Sequence, residues 1–286
     1  MERKSLRIPE DNDDDDEMPG ISSSSIPNSP TDSLLSPCSR KIILRKAAIN
    51  GSGISGSGSG QTFSRRSSKM SYTLNIEQEE PATKRHIVLG TSSSSRQKII
   101  AKLGWVEGIS VIIPDINEKS IRSDDPYKLP LVIAKAKADE VVRKIKSNSD
   151  MNEKDMIIIT ADQVVYFNGE VREKPTNEDE AKSFLLSYSN SSVSTISAIV
   201  VTHYPSGQQK SEVNESKVYW NTISARVVDK VVSKGAIYQS AGGFRVEDED
   251  LNGLINNIEG SVSCIMGLNV VTLQSLLRSL ELELSG

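Results

Sequence analysis

The sequence predicts an α/β domain built on a mixed sheet, and three observations predict it. Apolar runs of strand length alternate with stretches of helical periodicity across 84–286. An Asn168-Gly169 pair joins two short β-branched runs, the signature of a tight hairpin. Two long alternating segments flank Pro205-Ser206-Gly207. Strands that alternate with helices favour parallel pairing, hairpins are antiparallel, and one sheet has to hold both.

Taken in order, His86-Ile87-Val88-Leu89-Gly90 is a short apolar run that reads as a buried strand. The hydroxyl-rich loop Thr91-Ser92-Ser93-Ser94-Ser95-Arg96 separates it from a helix over 97–104, closed by Gly104. Residues 109–113 read as a second strand stopped by Pro114. Pro130 fits the first turn of a helix whose apolar face is Leu131, Ala134, Ala138, Val141, Val142 and Ile145. Residues 156–160 read as a buried strand, with 164–167 and 171–172 as the hairpin arms. Thr176, three residues before Asp179, marks a helix start. Residues 193–204 and 211–219 alternate as antiparallel strands, a helix spans 223–234 before Gly235, 242–246 reads as a strand entering a site, and 271–284 reads as a helix.

Residues 1–83 carry the composition of a disordered tail: an acidic run at 13–17, Ser and Pro through 22–39, a Gly/Ser linker at 51–60 and the basic cluster Arg65-Arg66-Ser67-Ser68-Lys69. A phosphorylated regulatory tail and a tail with no specific role both fit. The expected organisation is therefore a tail over 1–83 and one domain over 84–286, and a truncated chain starting near Lys84 is expected to keep full turnover.

Composition narrows the function. The chain has 286 residues, 36% hydrophobic and 25% charged, with a net charge of -4. An acidic chain is not expected to bind nucleic acid stably. Two Cys and two His exclude a disulfide framework and a His-rich zinc site, so any metal should be a hard cation on oxygen ligands. No apolar run is long enough to span a bilayer and no secretory signal is evident, which predicts a soluble protein, cytoplasmic or nuclear. Cys264 reads as a small core residue, and Trp105 and Trp220 as packing residues.

Phosphate chemistry is the pattern that remains. A strand feeding a helix through small polar residues leaves backbone N–H groups free for an anion. Asp115 to Glu118 and Asp162 put carboxylates after strands, and Lys174 follows the hairpin. Open α/β sheets bind ligands at such strand ends. Carboxylates can hold a metal and activate water while Lys and Arg neutralise phosphate. Each residue has a plainer reading too: Asp162 as a turn cap, Lys137 as a solvated helix residue, Glu118 as a loop acid, and Glu247 within the acidic run 247–250 as a solvated turn.

These motifs, in this order, resemble the Maf family of nucleotide pyrophosphatases, in the same broad fold group as the inosine-triphosphate pyrophosphatases. The resemblance is carried by 91–96, Asp115 to Glu118, Ala134-Lys135-Ala136-Lys137-Ala138, Ala161-Asp162-Gln163-Val164-Val165, Lys174-Pro175, Ala241-Gly242-Gly243-Phe244 and Gly260-Ser261 through Met266-Gly267-Leu268. It implies hydrolysis of a nucleoside triphosphate to the monophosphate and pyrophosphate with a divalent cation, Mg²⁺ or Mn²⁺. It maps Asp162 onto the catalytic acid, Glu118 and Asp162 onto the metal site, and Ser93, Arg96, Lys137 and Lys174 onto phosphate contacts. The base-selecting positions fall on Ser95, Gln163 and Glu247. The family's dTTP/UTP branch carries Arg, Thr and Gln there, and its 7-methyl-GTP branch carries Trp, Gln and Glu. Gln163 and Glu247 side with the second branch; Ser95 fits neither. Ser94 replaces the usual Pro, Asn117 the usual Asp, and Glu173 stands at the Gly of Gly-Lys-Pro. The resemblance also implies a homodimer. The other reading is a catalytically weak nucleotide-binding regulatory module with a phosphorylatable tail.

Overall fold

The computed structural model describes Tyr72, Leu74, 78–105, 108–152 and 154–286. The tail features at 13–17, 22–39, 51–60 and 65–69 lie outside the described residues. The strands are β1 (His86–Gly90), β2 (Ile109–Ile112), β3 (Met156–Phe167), β4 (Glu170–Arg172), β5 (Ser192–Tyr204), β6 (Gln209–Trp220) and β7 (Ile255–Glu259). The helices are α1 (Ser94–Lys102), α2 (Lys128–Lys146), α3 (Glu178–Ser187), α4 (Ala225–Ser233), α5 (Glu249–Asn252), α6 (Val262–Ile265) and α7 (Val270–Ser285). None of the described helices is long and apolar enough to cross a membrane.

The strands form one mixed sheet in the order β2-β1-β3-β5-β6-β7, with β4 paired to β3 off that path. β1 runs parallel to β2 and β3, and the remaining pairings are antiparallel. This is the mixed α/β architecture the sequence predicts. The β3–β4 hairpin turns on Asn168 (φ 48°) and Gly169 (φ 85°), the two left-handed residues of a type I′ turn.

Alternation along β3 divides the core between the two faces of the sheet. Ile158 and Val164 pack with Val88, Ala134, Ala138 and Val141 on the α2 side. Ile157, Ile159 and Ala161 pack with Ile99, Ile100, Leu273 and Leu277 from α1 and α7. The buried stripe of α2 includes Leu129, Ile133 and Lys137, whereas Leu131 and Val142 of the expected face are only half-buried. Cys264 is fully buried, and burial pushes its thiol up to about 11, as befits a core residue.

Several elements differ from the sequence reading. α1 begins at Ser94, so half of the hydroxyl-rich loop is the first turn of a helix. β3 does not stop before Asp162 but runs unbroken to Phe167. α3 is capped by Asn177, whose side chain accepts from Glu180 N–H, rather than by Thr176. Residues 242–246 are not a strand: Gly242 (φ 66°) and Gly243 (φ 64°) are both left-handed, and Asp248 N–H closes a turn onto Arg245 C=O at 3.1 Å. β7 has no counterpart in the sequence reading.

Described residues before Lys84 are packed onto the domain. Asn252 grips the backbone of Tyr72, accepting from its N–H at 3.0 Å and donating to its C=O at 2.7 Å. Gln274 likewise accepts from Ala82 N–H at 3.0 Å and donates to Glu80 C=O at 2.9 Å. Trp105 Nε1–H donates to Glu79 C=O at 2.6 Å. Leu74 packs against both of the larger apolar clusters.

Candidate functional site

The site lies where the sheet changes partners. On one edge β3 pairs with β1 only as far as Thr160, and then with β4 from Val165. Between them, residues 161–164 have no strand on that edge among the described residues, while β5 holds the other edge throughout. Asp162 and Gln163 are therefore fixed by strand geometry yet face an opening. Being consecutive, they point to opposite faces of the sheet. A cavity of about 610 Å³ opens there, a size suited to a nucleotide.

On the α2 side, the buried stripe of the helix brings Lys137 to Asp162. Lys137 Nζ lies 2.6 Å from Asp162 Oδ1 and 3.0 Å from Glu118 Oε1. The Lys137 and Asp162 side chains are 6% and 9% exposed, and that of Glu118 is 46% exposed. Burial holds the Asp162 carboxyl above its ordinary range, against the opposing pull of Lys137 and Arg96. A carboxylate kept dry in this way accepts a proton more readily than a solvated one.

On the other side, Arg96 of α1 is buried, and its Nε–H donates to Gly267 C=O at 2.9 Å. Desolvation lowers the affinity of this guanidinium for its proton, while Asp162 and Glu118 oppose that shift. Gln163 Nε2 donates to Ile265 C=O at 2.8 Å. Gly267 sits in the crook between the two, at φ 107°. A Cβ there would lie 2.9 Å from Gln163 Oε1, which would have to give way, and would only touch Arg96 Nε at 3.4 Å, and the positive φ disfavours a side chain in any case.

The N-terminus of α1 forms the floor. Ser93 caps it, its Oγ accepting from Arg96 N–H at 3.4 Å. Ser92 to Arg96 line the cavity, which leaves first-turn N–H groups facing a ligand.

The structure brings every sequence-derived candidate to this one cavity: Ser93, Ser95, Arg96, Glu118, Lys137, Asp162, Gln163, Lys174 and Glu247 all line it. Lys174 is exposed at the mouth, and Ser95 is half-buried. Asp162 is not a turn cap, because it lies inside β3, and Lys137 is not a solvated helix residue. The sequence reading takes 242–246 into a site but gives no role to Phe244, Arg245, Met266 or Lys119, all of which line the cavity. Arg245 was legible in principle, since it stands two residues from Glu247 across the apolar Val246.

Glu118 and Asp162 are the two carboxylates that converge here, both on Lys137 Nζ. Among the described residues no group of three or more His, Cys, Asp or Glu could hold a metal. Two carboxylates suit a hard cation that takes its remaining ligands from water and phosphate, as Mg²⁺ does, and do not suit a closed protein cage.

Comparison with known proteins sharpens this. The family described as Maf-like protein matches residues 86–280, which spans the whole cavity. A second, short match, to the Spo12 family, covers residues 28–48, outside the described residues. A 7-methyl-GTP pyrophosphatase of Dictyostelium discoideum is 33% identical over 186 residues, 65% of this chain and 92% of the relative. A dTTP/UTP pyrophosphatase of Treponema denticola is 28% identical over 207 residues, 70% of this chain and 99% of the relative. A dTTP/UTP pyrophosphatase of Chlamydia trachomatis serovar L2 is 36% identical over 200 residues, 69% of this chain and 95% of the relative.

Proposed function

The chain belongs to the Maf-like family, and on that premise we propose that it hydrolyses a nucleoside triphosphate to the monophosphate and pyrophosphate. The observation that carries the reading is the buried Asp162–Lys137 pair at 2.6 Å, open to a cavity floored by a helix N-terminus. A binding module needs cations for phosphate but has no need of a desolvated carboxylate among them.

In this mechanism Asp162 accepts a proton from water as the water oxygen bonds to the α-phosphorus. The bond between the α-phosphorus and its bridging oxygen breaks, and pyrophosphate leaves with the electron pair. Arg96, Lys137 and Lys174 offset the charge on the phosphates, and Ser93 with the first-turn N–H groups of α1 orients them. A divalent cation, Mg²⁺ or Mn²⁺, held by Glu118 and Asp162 would supply further neutralisation and polarise the phosphoryl group when bound. Lys137, hydrogen-bonded to Asp162 and ion-paired with Glu118, holds both in place for that role.

The base lies toward Ser95, Gln163 and Glu247. Gln163 and Glu247 match the 7-methyl-GTP branch, and a carboxylate suits the N–H edge of guanine, which makes non-standard nucleotides such as 7-methyl-GTP the first candidates. Pyrophosphate release is the test, from a panel of 7-methyl-GTP, GTP, UTP, dTTP and CTP, with Mg²⁺, with Mn²⁺ and with chelator. Release that requires the cation and is lost in Asp162→Asn is expected. Nucleotide binding with no product under any of these conditions would favour the binding-module reading instead.

A further inference from the structure

The base end of the cavity carries a second charge. Arg245 and Glu247 both line it, and the residue between them, Val246, is 1% exposed. Val246 lines the cavity too but is almost wholly covered, so Arg245 and Glu247 are the charged part of this stretch of wall. There they bind each other: Arg245 Nε and Nη2 lie 3.1 and 2.7 Å from the same oxygen, Glu247 Oε1. The side chains are 23% and 34% exposed, Arg245 half-buried and Glu247 on an exposed turn.

The wall that holds them is fixed from behind. Asn252, itself buried, donates to Val246 C=O at 2.6 Å. Phe244 is buried edge-to-face against Tyr188 and Trp220. The Arg245–Glu247 pair is thus presented to a ligand on rigid backbone, and its charge balance is a property of the site.

Resting on the reading that a nucleoside triphosphate places its base here, we propose that Arg245 is a specificity-determining residue that cancels the advantage a bare Glu247 would give to a positively charged base. A lone carboxylate attracts a cationic ring. With Arg245 on Oε1, the pair is neutral overall, and a cationic ring meets a like charge beside the carboxylate. Among the described residues, Glu247 Oε2 stays open as an acceptor and the remaining guanidinium N–H groups stay open as donors. That combination serves a neutral base carrying an N–H next to a C=O, as guanine, uracil and thymine do. The Arg245–Glu247 pair therefore gives the cationic N7-methylated guanine no charge advantage over a neutral oxo-base.

The test is the ratio of kcat/KM for 7-methyl-GTP to that for GTP, measured below neutrality so that the methylated ring keeps its charge. Removing the guanidinium in Arg245→Ala, or in the length-preserving Arg245→Gln, is expected to raise this ratio about tenfold or more. Arg245→Lys should stay close to the native ratio, and adding Glu247→Gln to Arg245→Gln should bring the ratio back down. A ratio that stays at its native value in both Arg245→Ala and Arg245→Gln overturns the proposal. If the native protein turns over no nucleotide, the pyrophosphatase reading fails by itself. The ratio of dissociation constants for the same two nucleotides, by calorimetry on the same variants, then decides the base-end proposal by the same rule.

Discussion

Replacing Lys137 by methionine removes the ammonium that the structure places between Asp162 and Glu118, at 2.6 and 3.0 Å. The two carboxylates do not suffer equally. Glu118, 46% exposed at its side chain, can turn to water, and its share of the interaction is worth no more than about 1 kcal/mol. Asp162, 9% exposed, has nowhere to go, and stranding a buried charge costs about 3–5 kcal/mol. Protonation limits the cost, because burial already raises the Asp162 carboxyl and Lys137 is the main influence holding it down. A loss of about 3 kcal/mol is therefore expected, a fall of about 6–12 °C in melting temperature for a domain of this size. The pH dependence has a definite sign. A carboxyl whose folded pKa is raised contributes stability below its unfolded pKa of about 3.9 and loses it as pH rises through the folded value. The gap between Lys137→Met and native protein should therefore be widest at neutral pH and narrow on acidification. Thermal unfolding of Lys137→Met, Asp162→Asn and the double variant is the assay. The double variant should recover about 2 kcal/mol of what Lys137→Met loses, because nothing charged is then stranded. A Lys137→Met melting temperature within about 2 °C of native, or a double variant as unstable as the sum of the singles, would refute the buried pair.

Three further outcomes follow from the same geometry. The acid limb of kcat/KM should lie above the ordinary aspartate range, since burial raises Asp162 and its protonation removes the base; Lys137→Met should move residual activity's acid limb higher still. Gly267→Ala, with φ 107° and a Cβ 2.9 Å from Gln163 Oε1, should lower kcat/KM by about 10-fold or more by shifting Gln163 and straining the backbone that accepts from Arg96, read by steady-state kinetics. A truncated chain beginning at Lys84 loses the backbone grips of Asn252 and Gln274, so it should melt roughly 5 °C below one beginning at 70, at about 1 kcal/mol for each grip.

That last outcome concerns residues that composition assigns to the tail. The polar, Ser-rich character of 1–83 gives no hint that Tyr72 and Ala82 are held by single buried amides from 180 and 192 residues away. Elements whose signal is local are legible: β1 from its apolar run, the β3–β4 hairpin from Asn168-Gly169, and β5 and β6 from long alternation. β3 reads as two strands because Asp162-Gln163 interrupts its apolar pattern. The interruption is tolerated because Lys137 arrives from α2, a partner the sequence does not announce locally. β7 escapes because its burial does not alternate: Asn256 and Asn257 are both exposed between the buried Ile255 and Ile258. Residues 242–246 look like a strand in sequence, yet two left-handed glycines bend them into a turn. Of the site, the residue types and their order are legible. The opening on the edge of β3 is not, because it arises from where β1 ends and β4 begins. Lys137 does carry a signal of its own, a charge on the apolar stripe of α2 between Ala134 and Val141.

The measurement closest to the central claim, that Asp162 drives water onto the α-phosphorus, is hydrolysis in ¹⁸O-enriched water followed by mass spectrometry of both products. The account expects nucleoside monophosphate and pyrophosphate in equal amounts, the label in the monophosphate alone, and loss of both products in Asp162→Asn. Label in pyrophosphate, release of orthophosphate with a nucleoside diphosphate, or undiminished turnover in Asp162→Asn would contradict it.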